Sequence, residues 1–175
     1  MENLYKNNSD NTARFVLGSK GDKPLFAIGL NPSTADEKKS DPTMRKVEGF
    51  AKKNGFDSVV MLNLYPLRAT NPHGLPKETE CDEELLTQNV QEIAMVVPNH
   101  ATILVCWGNN ISMRKYLRRS LSLIAKELEN KNCTYVAIGL TVCQDPKHPL
   151  YTTCEKFIDF DFKNYIEVLN FHLNH

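Results

Sequence analysis

The chain has 175 residues, 41% hydrophobic and 24% charged, with 21 Lys and Arg balanced by 21 Asp and Glu. This is ordinary composition for a globular domain, and at this length folding hides roughly 70% of the surface of the unfolded chain, so fibrous, disordered and disulfide-stapled classes are excluded. Zero net charge also argues against a polybasic coating protein. No apolar run approaches the ~18 residues of a membrane span, and the polar start Met1–Asp10 lacks the order of a secretion signal. The expectation is one soluble, cytoplasmic domain over residues 1–175 with no membrane partner.

Four nearly continuous apolar runs follow one another: Pro24–Leu30, Ser58–Leu64, Ala101–Trp107 and Thr134–Leu140. Continuity rather than alternation predicts strands covered on both faces. The segments between them have helical period. Met44, Val47 and Phe50 or Ala51 form a short stripe ending at Asn54-Gly55, and Leu86, Val90, Ile93, Ala94 and Val97 form a second, stopped by Pro98. Met113, Leu117, Leu121, Ile124 and Leu128 make a third, predicting a helix of about 18 residues. Lys163–Leu173 supplies a fourth helix. Alternation of strand and helix predicts an α/β sandwich with a parallel sheet, and Arg14–Leu17 adds an antiparallel edge.

In such sheets ligands bind beyond the carboxyl ends of the strands, which directs attention to four junctions. After the first strand, Asn31-Pro32 forces an extended or turn conformation, and Ser33, Thr34 and Asp36 form turns. Asp41 or Ser40 is the N-cap of the next helix, and Arg45 follows in its first turn. The second strand ends at Asn63, whose carboxamide either makes an Asx turn or reads the edge of a base. Arg68, in the long loop Tyr65–Pro76, serves either phosphate recognition or an ordinary surface role. The third strand ends in Trp107-Gly108-Asn109, where Gly108 allows a tight turn and the following N–H groups face an anion at a helix start. Trp107 is either a packing anchor or a stacking platform. The fourth leads to His148, stiffened between Pro146 and Pro149 with polar neighbours, a positioned donor or proton-transfer group, followed by Leu150 and Tyr151.

Charge is uneven along the chain. Residues 101–131 hold six basic against two acidic residues, chiefly Arg114, Lys115, Arg118 and Arg119, whose i, i+4 spacing places them on one helix face. That face is either merely solvated or phosphate-directed. Five widely spaced cysteines with no C-x-x-C pair predict free thiols, no metal and no cofactor.

The ordered set GLNPSTAD, DPTMR, VVMLNLYPLRATNP, CWG and HPLY over residues 14–151 closely resembles the bacterial and phage domain-of-unknown-function family 1643. A remoter resemblance is to the uracil-DNA glycosylase superfamily. It implies a three-layer α/β/α sandwich around a central four-stranded, mainly parallel sheet. GLNPS is similar to the water-activating motif of the mismatch-specific branch, which places Asn31 at the attacking water. VMLN is similar to the strand ending in the base-reading Asn, which gives that role to Asn63. HPLY resembles the start of the H-P-S-P-L-S motif, which places His148 at the departing base and makes Leu150 and Tyr151 a wedge. On this resemblance Asn31 and His148, assisted by Asp36 or Asp41, hydrolyse an N-glycosidic bond. Asn63, Ser33, Thr34, Arg45, Arg68, Trp107, Gly108, Asn109, Leu150 and Tyr151 contact DNA, a nucleotide or a nucleobase. The alternatives are a non-catalytic nucleotide-, modified-base- or DNA-binding module of the same fold, and an interaction domain whose 114–119 face is covered by a partner.

Overall fold

The computed structural model describes residues 1–175. Seven strands form one mixed sheet: β1 (Glu2–Asn7), β2 (Arg14–Lys20), β3 (Pro24–Gly29), β4 (Ser58–Asn63), β5 (Thr102–Val105), β6 (Thr134–Ala137) and β7 (Ile158–Asp159), in the order β1-β2-β4-β3-β5-β6-β7. The pairings β4/β3, β3/β5 and β5/β6 are parallel, whereas β1/β2, β2/β4 and β6/β7 are antiparallel. Four helices, α1 (Pro42–Lys53), α2 (Glu83–Val96), α3 (Lys115–Leu128) and α4 (Phe162–Asn174), complete the fold.

The expected four-stranded sheet is therefore corrected to a seven-stranded mixed one. The four apolar runs became neighbouring strands, each shorter than its apolar run. The segment expected at the edge is interior, because β1 covers it as a hairpin turned through Asn8–Ala13, with Asn11 in the left-handed region at φ 59°. β1 reads ENLYKN and is exposed or half-buried throughout, so it carries no hydrophobic period to betray it. β7 is only two residues long.

Alternation along the buried strands supplies both faces. Leu25, Ala27, Val59, Met61 and Leu104 pack with Met44, Val47, Phe50 and Ala51 of α1. Phe26, Ile28, Val60, Leu62, Ile103 and Val105 face the opposite way, into the larger core with Leu86, Val90 and Ile93 of α2, Leu117, Leu121 and Ile124 of α3, and Leu169 of α4. α1 starts where Asp41 caps it by accepting from the N–H of Met44 at 2.8 Å, with Pro42 pre-set in the first turn, and ends at Asn54. The third helix begins later than expected. Asn109–Met113 forms a 3-10 turn, so Met113 and Arg114 precede the helix.

No helix is long and apolar enough to cross a membrane. Leu121 is fully buried on α3 and its neighbour Leu123 is 40% exposed. Leu121→Ala is expected to cost about 2–5 kcal/mol in urea unfolding at unchanged m, and Leu123→Ala less than about 0.5 kcal/mol; equal losses would contradict this orientation of α3.

Candidate functional site

A cleft of about 530 Å³ opens beyond the carboxyl ends of β3, β4 and β5. Its walls are the Gly29–Asn31 strand end with Ser33 and Thr34, the start of α1 at Asp41–Met44, the β4 end at Asn63, the loop Ala69–His73, Trp107–Asn110, and His148 with Leu150 and Tyr151. Asn31, Asn63 and His148, drawn from three different junctions, thus line one cavity.

Asn63 is 1% exposed, yet neither its amide nitrogen nor its amide oxygen has a hydrogen-bond partner. Its main chain is held by Asn89, whose amide donates to the Asn63 carbonyl at 2.8 Å. No Asx turn forms. Gly29, its register partner on β3, explains how the carboxamide fits: a Cβ there would lie 2.9 Å from Met61 Cε and 3.1 Å from Asn63 Oδ1. A buried, unpaired amide costs roughly 1–3 kcal/mol, which sets Asn63 apart from the other polar side chains of the cleft.

Asn31 has a split role. Its amide nitrogen donates to the carbonyls of Pro32 (3.0 Å) and Ala69 (2.8 Å), fastening the 65–76 loop to the β3 end. The carbonyl oxygen is left as the group available to the cleft.

His148 accepts from the Leu150 N–H through Nδ1 at 3.2 Å. A neutral ring with Nδ1 committed as acceptor carries its proton on Nε2, a donor. Burial pushes the imidazole below its ordinary 6.5, and the Asp41 carboxylate opposes this. Gly108 packs against it at φ +72°, where a Cβ would come within 3.3 Å of His148 Cβ. Asp41, 8% exposed, uses Oδ1 for Met44 N–H and Oδ2 for Ala35 N–H at 3.4 Å. DPTMR is thus the start of α1: cap, Pro in the first turn, a core methionine, and Arg45 donating to the Ser40 carbonyl at 2.6 Å.

Several residues proposed from sequence lie elsewhere or are spent. Arg68 lies outside this cleft and donates to the carbonyls of Ser33 (2.8 Å) and Ala35 (3.0 Å), to Tyr5 Oη and to Asn11 Oδ1. Arg45 and Asp36 are also outside it, and Asp36 caps a turn by accepting from the Lys38 and Lys39 N–H groups, which holds its carboxyl below the usual range. The helix start expected after Gly108 is the 3-10 turn Asn109–Met113, and at the start of α3 beyond it Glu78 accepts from Lys115 N–H. Asn109 accepts from the Thr141 hydroxyl. Trp107 is an anchor, packed on Phe160 and Tyr165 and donating to the Tyr165 hydroxyl. The basic 114–119 segment does not line the cleft: Arg114 donates to the carbonyls of Pro76 and Met113, and Arg119 pairs with Glu83. Tyr151, 91% exposed, stands at the rim.

Several lining residues escaped the sequence reading, among them Met61, Thr70, Asn71, His73, Asn110 and, most consequentially, Arg14. Arg14, 3% exposed, opens β2 and donates through Nη1 to the Ala35 carbonyl at 2.7 Å, while its Nε has no partner. A charged residue heading an apolar strand, Arg14-Phe15-Val16-Leu17, is the signal that marks it. No group of three or more His, Cys, Asp or Glu side chains is arranged to hold a metal, and all five cysteines are free.

Residues 14–150 match the family described as a protein of unknown function, DUF1643. The chain belongs to this family. No curated protein and no solved structure matches it. The matched segment runs from Arg14 to Leu150 and so contains every wall of the cleft except Tyr151.

Two outcomes follow for this DUF1643 protein. Asn63→Leu, close in shape and free of polar atoms, is expected to raise the unfolding free energy by about 1 kcal/mol in the ligand-free protein, measured by urea titration; a clear loss would show that the carboxamide is already paired. His148 contributes stability that is full above its ordinary pKa of 6.5 and lost as pH falls from there to the lower pKa of the folded form. The melting temperature of His148→Asn should accordingly fall less than that of the natural protein between pH 7 and pH 5 (~2 pH units). Parallel curves would contradict a buried neutral ring.

Proposed function

We propose that the cleft binds a nucleobase and that hydrolysis of the N-glycosidic bond to that base is the reaction its residues serve. The observation carrying the reading is the buried, unpartnered carboxamide of Asn63 in a cleft it shares with Asn31 and His148. One acceptor and two donors on a rigid strand end complement the amide-like edge of a pyrimidine or purine, and a preformed unpaired site rejects a ring that lacks that edge. The resemblance of GLNPS, VMLN and HPLY to uracil-DNA glycosylase motifs supports the same assignment.

Cleavage of this bond leaves positive charge on the sugar and negative charge on the departing base. Neutral His148, with its proton on Nε2, donates a hydrogen bond to the base oxygen as its charge develops. It need not lose that proton. Asn31 Oδ1 accepts from a water and aligns it with the anomeric carbon; as the C–N bond breaks with its electron pair on the base, the water oxygen bonds that carbon, and the proton the water gives up passes through solvent to the released base anion. Asp41, the carboxylate on the same wall, faces the positive sugar. A second reading, a base-binding module without chemistry, draws on the Asn31 amide, whose donors are consumed in holding the loop.

The test is excision from single-stranded and mismatched oligonucleotides carrying uracil or a modified base, read as strand breakage at the abasic product after alkali. Asn31→Ala and His148→Ala are each expected to lower the rate about 10²-fold or more, and Asn63→Ala to weaken binding. Unchanged excision by Asn31→Ala would overturn the assignment of the water. Binding that depends on Asn63, without excision, would establish the second reading.

A further inference from the structure

We propose that Arg14 and the first turn of α1 form a phosphate subsite in the same cleft, so that its ligand is a nucleotide, with the base on Asn63 and a phosphate on Arg14. The base end of this statement rests on the reading above; the phosphate end rests on separate residues.

Arg14 is the one Lys or Arg in the lining of the cleft. It is buried without a carboxylate partner, the ion pairs of the chain being Lys6–Glu92, Lys53–Glu155 and Arg119–Glu83. Its Nε is buried and unpartnered, and Nη1 meets a single carbonyl. Arg114, by contrast, sets Nε, Nη1 and Nη2 against the carbonyls of Pro76, Met113 and Leu75. A desolvated guanidinium left short of partners is costly until an anion arrives, and its planar fork suits phosphate oxygens.

The charges facing Arg14 do not satisfy it. Burial is the main cause that brings the guanidinium from 12.5 to about 10; Arg68 adds to the decrease, while Asp41, Tyr5 and Asp36 oppose it. Asp41 is on the same wall, but its oxygens accept from Met44 and Ala35 N–H groups and it forms no ion pair with Arg14. The first turn of α1 adds a second attraction. Pro42 has no N–H and Met44 N–H is taken by Asp41, which leaves the Thr43 N–H at the positive end of a 12-residue helix.

Placement fits one ligand spanning both groups. β2 runs antiparallel beside β4, with Leu17 opposite Met61, and Arg14 N–H donates to the Pro66 carbonyl at 2.9 Å. Arg14 therefore lies just past the strand end that Asn63 closes. A cleft of about 530 Å³ is of the size that holds a small ligand such as a mononucleotide.

Calorimetric titration at fixed ionic strength would compare deoxynucleosides, their 3′- and 5′-monophosphates and trinucleotides with the natural protein, Arg14→Met, Arg14→Lys and Asn63→Ala. At least one phosphorylated probe should bind the natural protein about ten- to a hundredfold tighter than its nucleoside. Arg14→Met should erase that ratio with nucleoside binding unchanged, Arg14→Lys should restore part of it, and Asn63→Ala should weaken both probes while the ratio persists. Preference for a monophosphate identifies a free nucleotide as the source of the phosphate, and preference for a trinucleotide identifies a strand. A ratio near one in the natural protein, or one untouched in Arg14→Met, overturns the subsite. If no nucleoside or nucleotide binds, the base reading fails, and the subsite is judged by pyrophosphate alone. It must raise the melting temperature of the natural protein and not that of Arg14→Met; failing that, or where Arg14→Met does not fold, no rise in the natural protein overturns it.

Discussion

Two parallel strands end side by side at Gly29 and Asn63, and the distance between them sets what the cleft can hold. Any side chain at position 29 would press on Met61 Cε and Asn63 Oδ1. With hydrogen there instead, the carboxamide occupies a buried place at the floor of the cleft without meeting a protein partner. The far side of the same strand end is secured differently. Asn89 donates to the Asn63 carbonyl and Ser120 to the Leu64 carbonyl. Backbone groups are satisfied by α2 and α3, whereas the side chain of Asn63 is left unsatisfied.

The loops around that floor are held by main-chain bonds, such as Tyr65 N–H to the Leu30 carbonyl and Ala69 N–H to that of Pro32, and also by side chains acting on carbonyls. Asn31 draws Ala69 toward β3, Arg68 grips Ser33 and Ala35, and Arg14 reaches Ala35 from β2. The chain between β3 and α1 and the chain after β4 have no regular structure of their own in these stretches, yet both are fixed to the same few residues. A wall made of irregular backbone becomes rigid enough to preorganise a site when its carbonyls are tied in this way.

The strands and helices that build the two cores were legible because burial on both faces and helical period are properties of contiguous residues. β1 was not, since a hairpin strand exposed on its faces has neither signal. The polar residues at strand ends were legible from position alone: Asn31, Asn63 and His148 lie where an open α/β sheet leaves a crevice. Arg68 and Arg14 show where such reasoning stops. Their partners include main-chain carbonyls more than twenty residues away, groups that every residue carries and no composition marks, so a loop arginine for which phosphate recognition and a surface role were both open is seen to fasten loops. Arg14, in turn, was hidden inside an apolar strand. The same holds at α3, where the turn Asn109–Met113 removes Arg114 from the helix face its spacing implied.

These arginines also explain how a chain of zero net charge can carry a site for an anion. Several of the cations in this protein are engaged internally: Arg68 and Arg114 on carbonyls, Lys131 on the carbonyls of Ala94 and Val97, Lys46 on that of Thr152, Arg119 on Glu83. A cation used this way has fewer donors left to offer a ligand. What distinguishes a working cation is therefore its unmet hydrogen-bonding capacity in a desolvated cleft, where each charge is screened least. By that criterion a single buried arginine with one carbonyl partner outweighs the whole 114–119 segment. Net charge, being a sum over the whole chain, is silent about it.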